Sequence, residues 1–286
     1  MANLKNIRSQ IKSVTSIQKV TKAMKMVAAA KLRKSQENME KSRPYSSRIK
    51  DLIGGLINDV DRSLLPLLMM PAKTKTIGFL IITADRGLAG SFNTNIIKKA
   101  EIEINKINKK NAKLFCIGKK GYEHFSKRGY DILNDYKDFW MNLNYSHAIK
   151  IGNDIALHFN KKNVDEVNVI FNYFKNVGSQ KVIYEPLLPL DFKSETISFS
   201  KDIIFEPSKE AIVHSLVPKY FNTQIWQCLL ESFASEQAAR MLAMDNATEN
   251  AKEMISDLRL QFNKARQTAI TTEMLEIVGG AEALSN

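Results

Sequence analysis

Residues 4–32 read LKNIRSQIKSVTSIQKVTKAMKMVAAAKL, and along them Leu4, Ile7, Ile11, Val14, Gln18, Thr21, Lys25, Ala28 and Leu32 stand alternately three and four apart. The same phase continues through Ser35, Met39, Ser42, Ser46, Ile49, Ile53 and Leu56, so sixteen positions share one helical face and only Lys25 among them is charged. A second run at the other end of the chain keeps the same spacing: Leu230, Ala234, Gln237, Met241, Met244, Thr248, Ala251, Ile255, Leu258, Phe262, Ala265, Ala269, Thr272 and Glu276. Thirteen charges lie between residues 230 and 276, and Glu276 alone falls on one of those fourteen positions. A 3-4 repeat held over this length predicts two helices packed along seams. Ala234, Ala251, Ala265 and Ala269 would let their backbones approach closely.

About 150 residues separate the runs, so they are not a short-loop hairpin. At 1.5 Å per residue, residues 1–57 and 208–286 would make rods of roughly 85 and 120 Å, against roughly 50 Å for a compact globule of this chain length. Ordinary core helices are therefore too short an account of them. Pro44 and Gly54-Gly55 mark where the first rod would bend or end, because an interior proline loses a backbone hydrogen bond and clashes with the preceding turn. Antiparallel packing leaves the last helix overhanging the first by about 20 residues. That overhang includes Met274-Leu275-Glu276-Ile277-Val278-Gly279-Gly280-Ala281, an apolar surface that another chain is expected to enclose. Between residues 17 and 27 the first seam turns polar at Gln18, Thr21 and Lys25, while Ile17, Val20, Met24 and Val27 form an apolar stripe one position away. Supercoil drift and contact with an external partner both account for it.

The chain has 286 residues, 44% hydrophobic and 25% charged, which excludes wholesale disorder. Its formal charge of +12 is uneven: +10 over residues 1–57, +5 over 58–207 and −3 over 208–286. The first 34 residues carry nine Lys or Arg and no acid. Such a block suits a nucleic-acid arm, a membrane-surface helix or a targeting peptide, but the helical pattern runs on past Leu32 and Lys dominates over the Arg and Ser of a transit peptide. No apolar run approaches a membrane span, and a secretory leader is not expected. Cys116 and Cys228 are too few for a disulfide framework, and with four scattered histidines a structural zinc is not expected either.

The middle of the chain reads as α/β. Ile77–Thr83 (IGFLIIT) is a buried strand, and Asp85-Arg86-Gly87-Leu88-Ala89-Gly90-Ser91 turns into a helix that Ser91 or Asn93 would cap. Lys113–Ile117 is a second strand, followed by the Gly118-Lys119-Lys120-Gly121 turn and a helix to Lys127. A short strand at Tyr130–Asn134, a helix over 146–160 and strands at 166–174 and 180–189 complete a small parallel or mixed sheet. Gly87 and Gly90 lack the middle glycine of a dinucleotide fingerprint. The Gly118–Gly121 turn could bring amides and ammonium groups to a phosphate, yet no phosphate-loop pattern is present. Nothing in the sequence marks a nucleophile elbow, a Cys-His pair or a metal-binding histidine spacing. His124, His147, His158 and His214 read as surface or helix residues. No catalytic, cofactor-binding or metal-binding residue is assigned. For the basic first helix, three readings stand: phosphate neutralisation on a nucleic acid, weakened because no aromatic residue precedes Tyr45; a rod inside an acidic protein collar; and a solvated face.

Three stretches resemble the γ-subunit family of rotary F-type ATP synthases. Ile7-Arg8-Ser9, Ser16–Ala29 (SIQKVTKAMKMVAA) and Ser42-Arg43-Pro44-Tyr45 are similar to its N-terminal helix. Thr83-Ala84-Asp85-Arg86-Gly87-Leu88-Ala89-Gly90 is similar to its T-D-R-G-L-C-G turn. Ala234-Ser235-Glu236-Gln237-Ala238-Ala239-Arg240-Met241, Asn263-Lys264-Ala265-Arg266-Gln267 and Ile270-Thr271 are similar to its C-terminal helix. Ala84 and Ala89 depart from the pattern, and Ala89, where many members carry Cys, removes any thiol role there.

The resemblance implies a long antiparallel coiled coil of N- and C-terminal helices (1–57 with 208–286) and a central α/β, Rossmann-like domain (58–207). It implies the central-stalk rotor of the synthase, turning inside the α3β3 ring and coupling proton flow through the membrane sector to ATP synthesis on β. The chain would be non-catalytic and without a cofactor, with the α and β subunits, the ε subunit and the membrane c-ring as partners and no nucleic acid. Its place would be peripheral, on the cytoplasmic side of the bacterial plasma membrane. By the same resemblance Lys22, Met24 and Lys25 contact the collar with Arg240 facing them, Arg266, Gln267, Thr271 and Glu273 meet loops of the ring near the tip, and Asp85, Arg86 and the 87–90 turn face an acidic lip of β.

Overall fold

The computed structural model of the chain describes residues 4–71, 74–192 and 205–285. Two helices dominate it, α1 at Leu4–Leu56 and α5 at Lys209–Ser285. Between them lie β1 (Ile77–Ile82), α2 (Phe92–Asn105), β2 (Ala112–Ile117), α3 (Lys119–Lys127), β3 (Ile132–Tyr136), α4 (Tyr145–Asn160), β4 (Glu166–Asn176) and β5 (Ser179–Leu188). By packing, the chain divides into one unit of Ala28–Arg240 and another of Met1–Val27 with Met241–Asn286. The cuts fall inside α1 and α5, so each long helix contributes to both units.

Along α1 the periodicity reports burial faithfully, whereas on α5 the last two seam positions, Thr272 and Glu276, are exposed. None of the sixteen seam positions of α1 is exposed, and Ile7, Ala28, Leu32, Met39, Ile49, Ile53 and Leu56 are buried. Of the two places where a bend or end is expected, α1 runs through Pro44 and stops at Leu56, directly after Gly54-Gly55. Ser46, Ile49, Ile53 and Leu56 are all buried beyond the proline, and that packing outweighs the lost backbone hydrogen bond.

In the larger unit the sheet order is β3-β2-β1-β4-β5, parallel except for the β4–β5 hairpin. Both faces are covered, which is why IGFLII is a continuous apolar run without alternation. Phe79 and Ile81 point with Leu114, Cys116 and Ile170 into a core closed by Phe92, Ile96, Ala100 and Ile104 of α2 and Phe125 of α3. Leu80 and Ile82 point the other way, to α4 and to the inner ends of both long helices. β3 lies two residues beyond the expected 130–134, because Tyr130 N–H still closes the turn after α3 on Phe125 O. α4 begins at a capping box of Asn144 and His147.

The path β1–α2–β2–α3–β3 moves out along the sheet, and α4 then returns the chain to β4 on the far side of β1. This is the topological switch at which open α/β sheets place their ligands, beyond the carboxyl ends of the strands. Here α5 reaches that end of the sheet. Ser235 Oγ donates to Asn172 O at 3.0 Å, and the Phe174 amide donates to Glu231 at 3.0 Å.

Candidate functional site

The residues singled out from the sequence fall into three places. The first is the α1–α5 pair of the smaller unit. Lys25 Nζ meets Asp245 Oδ1 at 2.5 Å, and the Thr21 and Thr248 hydroxyls are 2.8 Å apart. These contacts fix the antiparallel register and answer the polar stretch of the seam from the opposite helix. The Lys25–Asp245 pair is two-fifths exposed and stabilises by at most about 1 kcal/mol. Since Gln18, Thr21 and Lys25 stay turned inward, the seam has not drifted onto the neighbouring stripe. Ile17, Val20 and Val27 are more than half exposed, and Met24 is half-buried beside them. Lys22 is exposed. On α5 the residue level with Lys25 is Asp245, whereas Arg240 belongs to the turn described below.

The second place is the end of α5. From the Thr21–Thr248 register, Leu4 is level with about residue 265. Ala269 is half-buried, and every residue from Ile270 to Ala281 is exposed. Arg266, Gln267, Thr271 and Glu273 all face out, and Thr271 Oγ donates to Gln267 O at 2.9 Å. Ile277 is 72% exposed and Leu275 68%, values that leave a row of large apolar side chains without cover among the described residues.

The third place is the turn after β1, and here hydrogen bonds decide the reading. The Asp85 carboxylate accepts the Lys119 amide on Oδ1 and the Asp138 amide on Oδ2, both at 2.9 Å, so it ties the ends of β1, β2 and β3 together. Asn93 does not cap α2, and neither does Ser91. Instead Asn93 Oδ1 accepts the Ala84 amide at 2.9 Å and its Nδ2 donates to Arg86 O at 3.4 Å, bracing the turn across its base. Arg240 Nη2 donates to Gly87 O at 3.1 Å while Nη1 pairs with Glu236 Oε1 at 2.6 Å. Glu236 is buried, and burial holds its carboxyl above the usual range although Arg240 and Gln237 pull it down. Arg86 is exposed.

The same network settles what the Gly118–Gly121 turn can do. Its four amides are all committed: Gly118 to Tyr136 O, Lys119 to Asp85, Lys120 to Ala84 O and Gly121 to Thr83 Oγ1. They join the β1 turn to α3 and offer no cradle to a phosphate. Nor are the cysteines reactive, since burial pushes the Cys116 thiol up to about 12 and Cys228 well above its ordinary value. Among the described residues no group of His, Cys, Asp and Glu is arranged to hold a metal ion, and no helix is long and apolar enough to cross a membrane.

A family model described as ATP synthase matches residues 3–284. The ATP synthase gamma chain of Chlorobium luteolum is 49% identical over 292 residues, which cover 100% of both chains. This chain belongs to the ATP synthase gamma family. Another gamma-family relative, from Salinibacter ruber, is 43% identical over 304 residues and 99% of each chain. Among solved structures, the fold is similar to a chain of the Tetrahymena thermophila mitochondrial ATP synthase central stalk and c-ring, with a TM-score of 0.61 and 26% identity over 80% of this chain and 99% of that one. A chain of the Euglena gracilis mitochondrial ATP synthase shares the fold alone, with a TM-score of 0.70 and 19% identity over 98% and 94% of the two chains.

The sequence passes over Asp245, gives Glu236 no role of its own, and offers Asn93 only as a helix cap and Leu88 only as part of the 87–90 turn. Glu236 leaves one trace, as an acid four residues before Arg240 on one helix.

Proposed function

We propose that this gamma-family chain is the central-stalk rotor of a bacterial F-type ATP synthase, with residues 1–57 and 208–286 as its shaft and 58–207 as its body. The observation that carries the reading is the end of α5, a helix whose apolar side chains from Ile270 to Val278 stand in the open. An isolated helical end of this kind is costly in water, and a ring of α and β subunits closing around it removes that cost. The stripe of Ile17, Val20, Met24 and Val27, with Lys22 and Lys25, meets the collar of the ring. Arg266, Gln267, Thr271 and Glu273 meet ring loops near the tip, and Asp85, Arg86 and Arg240 present the β1 turn to it. The ε subunit and the c-ring bind the body, and the assembly sits on the cytoplasmic side of the plasma membrane.

Rotation couples sites because an asymmetric shaft makes different contacts with each β subunit, and only a differential contact can shift one site's affinity against another's. Proton flow turns the shaft, and each β site passes through its states in order.

Co-expression tests this directly. Tagged chain should bring down α and β in the 3:3:1 proportion of the ring to its rotor, and a chain recovered alone would end the proposal. Met24→Lys supplies a sharper measurement. It adds a cation to a half-buried position beside Lys22 and Lys25, so ATP-driven proton pumping in vesicles should fall several-fold while ATP hydrolysis and assembly persist. Pumping equal to that of the unmodified complex would rule out the collar contact at Met24.

A further inference from the structure

A cleft of about 300 Å³ lies in the larger unit between α1, the connection from β3 to α4, and α5. Its lining comes from the stretch of α1 between Lys31 and Asn38, from residues 140–143 of the connection, and from Leu230 and Phe233 of α5. One wall is aromatic. The Trp140 indole stacks on Phe233 with ring centroids 5.8 Å apart and on Phe139 at 5.0 Å, so polar contact is left to the ring edge that carries the N–H.

The polar groups of the cleft are donors without acceptors. Trp140 is 7% exposed, and its Nε1–H is buried with no hydrogen-bond partner among the described residues. A buried donor left unpaired costs free energy that an arriving acceptor returns. Lys31 Nζ has the Met141 thioether at 3.3 Å, a weak acceptor for an ammonium group, and the carboxylate whose field it shares, Glu236, is already held by Arg240. Lys34 is exposed and has no ion pair among the described residues. Asn38 and Asn142 add side-chain amides, and no Asp or Glu lines the cleft. A second cleft, between Arg43 and Glu231, sets those two 3.8 Å apart and so answers its own charge. The first leaves its charge unanswered. A third cleft shares Asn38 and Leu143 with it and adds Lys41, again without an acid.

We propose that the cleft of Trp140 is a binding site for a small organic carboxylate. The carboxylate accepts from the Trp140 indole N–H, Lys31 and Lys34 supply the countercharge, and the apolar body of the ligand rests on Leu143, Leu230 and Phe233. That apolar wall sets an organic anion apart from a hydrated inorganic one, which would lose water there without replacement. The occupant would touch α1, the connection and α5 at once, and binding to the folded chain alone would raise its stability. This site is independent of the rotor reading.

Fluorine NMR of the full-length chain with 4-(trifluoromethyl)benzoate as the probe tests it. The probe signal should shift and broaden to saturation, and the uncharged 4-(trifluoromethyl)benzamide should bind about tenfold more weakly, because it lacks the charge-assisted hydrogen bonds. Lys34→Gln and Trp140→Phe should each weaken the benzoate at least threefold. The second keeps a stacked ring and removes the N–H, and thermal unfolding of both variants without probe confirms that they remain folded. No saturable binding, equal affinity for benzoate and benzamide, or unchanged affinity in both variants overturns the site. Inorganic phosphate that displaces the benzoate at equal concentration overturns the organic body of the ligand. Probe binding that is present in the free chain and absent once α and β are assembled around it gives the cleft to a neighbouring subunit, and that too overturns the proposal.

Discussion

Arg240→Ala should lower the stability of the larger unit by about 3–5 kcal/mol at neutral pH, the usual result of removing one partner from a buried ion pair. Arg240 and Glu236 have side chains only 12% and 7% exposed, and the pair spans 2.6 Å. Without the guanidinium, Glu236 is left as an uncompensated buried carboxylate, and Gly87 O loses its donor. Burial already holds the Glu236 carboxyl above the usual range, and Arg240 is the main opposing influence, so its removal raises the carboxyl further. The sign of the pH dependence follows. A carboxyl raised in the folded state penalises folding at every pH above its folded value, and the penalty fades as pH falls through that value and the group protonates. The deficit of Arg240→Ala should therefore be largest near pH 8 and shrink toward pH 4. Trp140 and Trp226, the only tryptophans of the chain, both lie in this unit, so denaturant unfolding followed by their fluorescence reads the effect. Adding Glu236→Gln should recover most of the loss. A deficit that is flat with pH and unrelieved by the second substitution would contradict the ion-pair account.

Gly118→Ala should be at least as damaging, about 4 kcal/mol. Gly118 has φ of 86°, and a β-carbon there would lie 2.1 Å from Thr83 O and 2.6 Å from Thr83 C. The obstacle is backbone that cannot move, since the Thr83 amide is bound to Ile117 O at 2.8 Å and the Gly118 amide to Tyr136 O at 2.8 Å. Left-handed strain and a clash with fixed atoms each cost about 1–3 kcal/mol, and here both apply. Gly87→Ala is the control: nothing lies within 4 Å of its added β-carbon, its φ is not in the left-handed region, and the change should stay within about 0.5 kcal/mol. Equal effects at the two glycines would show that the junction of β1, β2 and β3 is looser than its hydrogen bonds imply.

The contrast between those glycines also shows how far the sequence carries. Both stood in turns of similar appearance, G-L-A-G and G-K-K-G, and both invited a phosphate. What separates them is whether another strand end lies against the backbone, and that depends on Thr83 meeting Gly118 across 35 residues. Similarly, Asp85 and Arg86 were adjacent candidates for a contact. The structure gives Asp85 an internal task, binding two amides from distant loops, and leaves Arg86 in the open. Asn93 was expected to cap the helix that follows it and braces the turn that precedes it.

The sequence by itself determined the long helices, their shared seam, the strands and the apolar overhang, because each of these is written as a repeat. Burial on one face of a helix forces a 3-4 spacing, and burial on both faces of a strand forces an unbroken apolar run. A repeat of this kind is local and survives in one dimension. Only the tertiary structure decided which amides are committed, that Arg240 reaches Gly87 across 153 residues, that α5 comes to the carboxyl end of the parallel strands, and that Leu88 takes a positive φ. A hydrogen bond between distant residues asks only for a donor and an acceptor, which most polar residues can supply. It leaves no period in the chain, and so it becomes legible when the fold brings the two ends together.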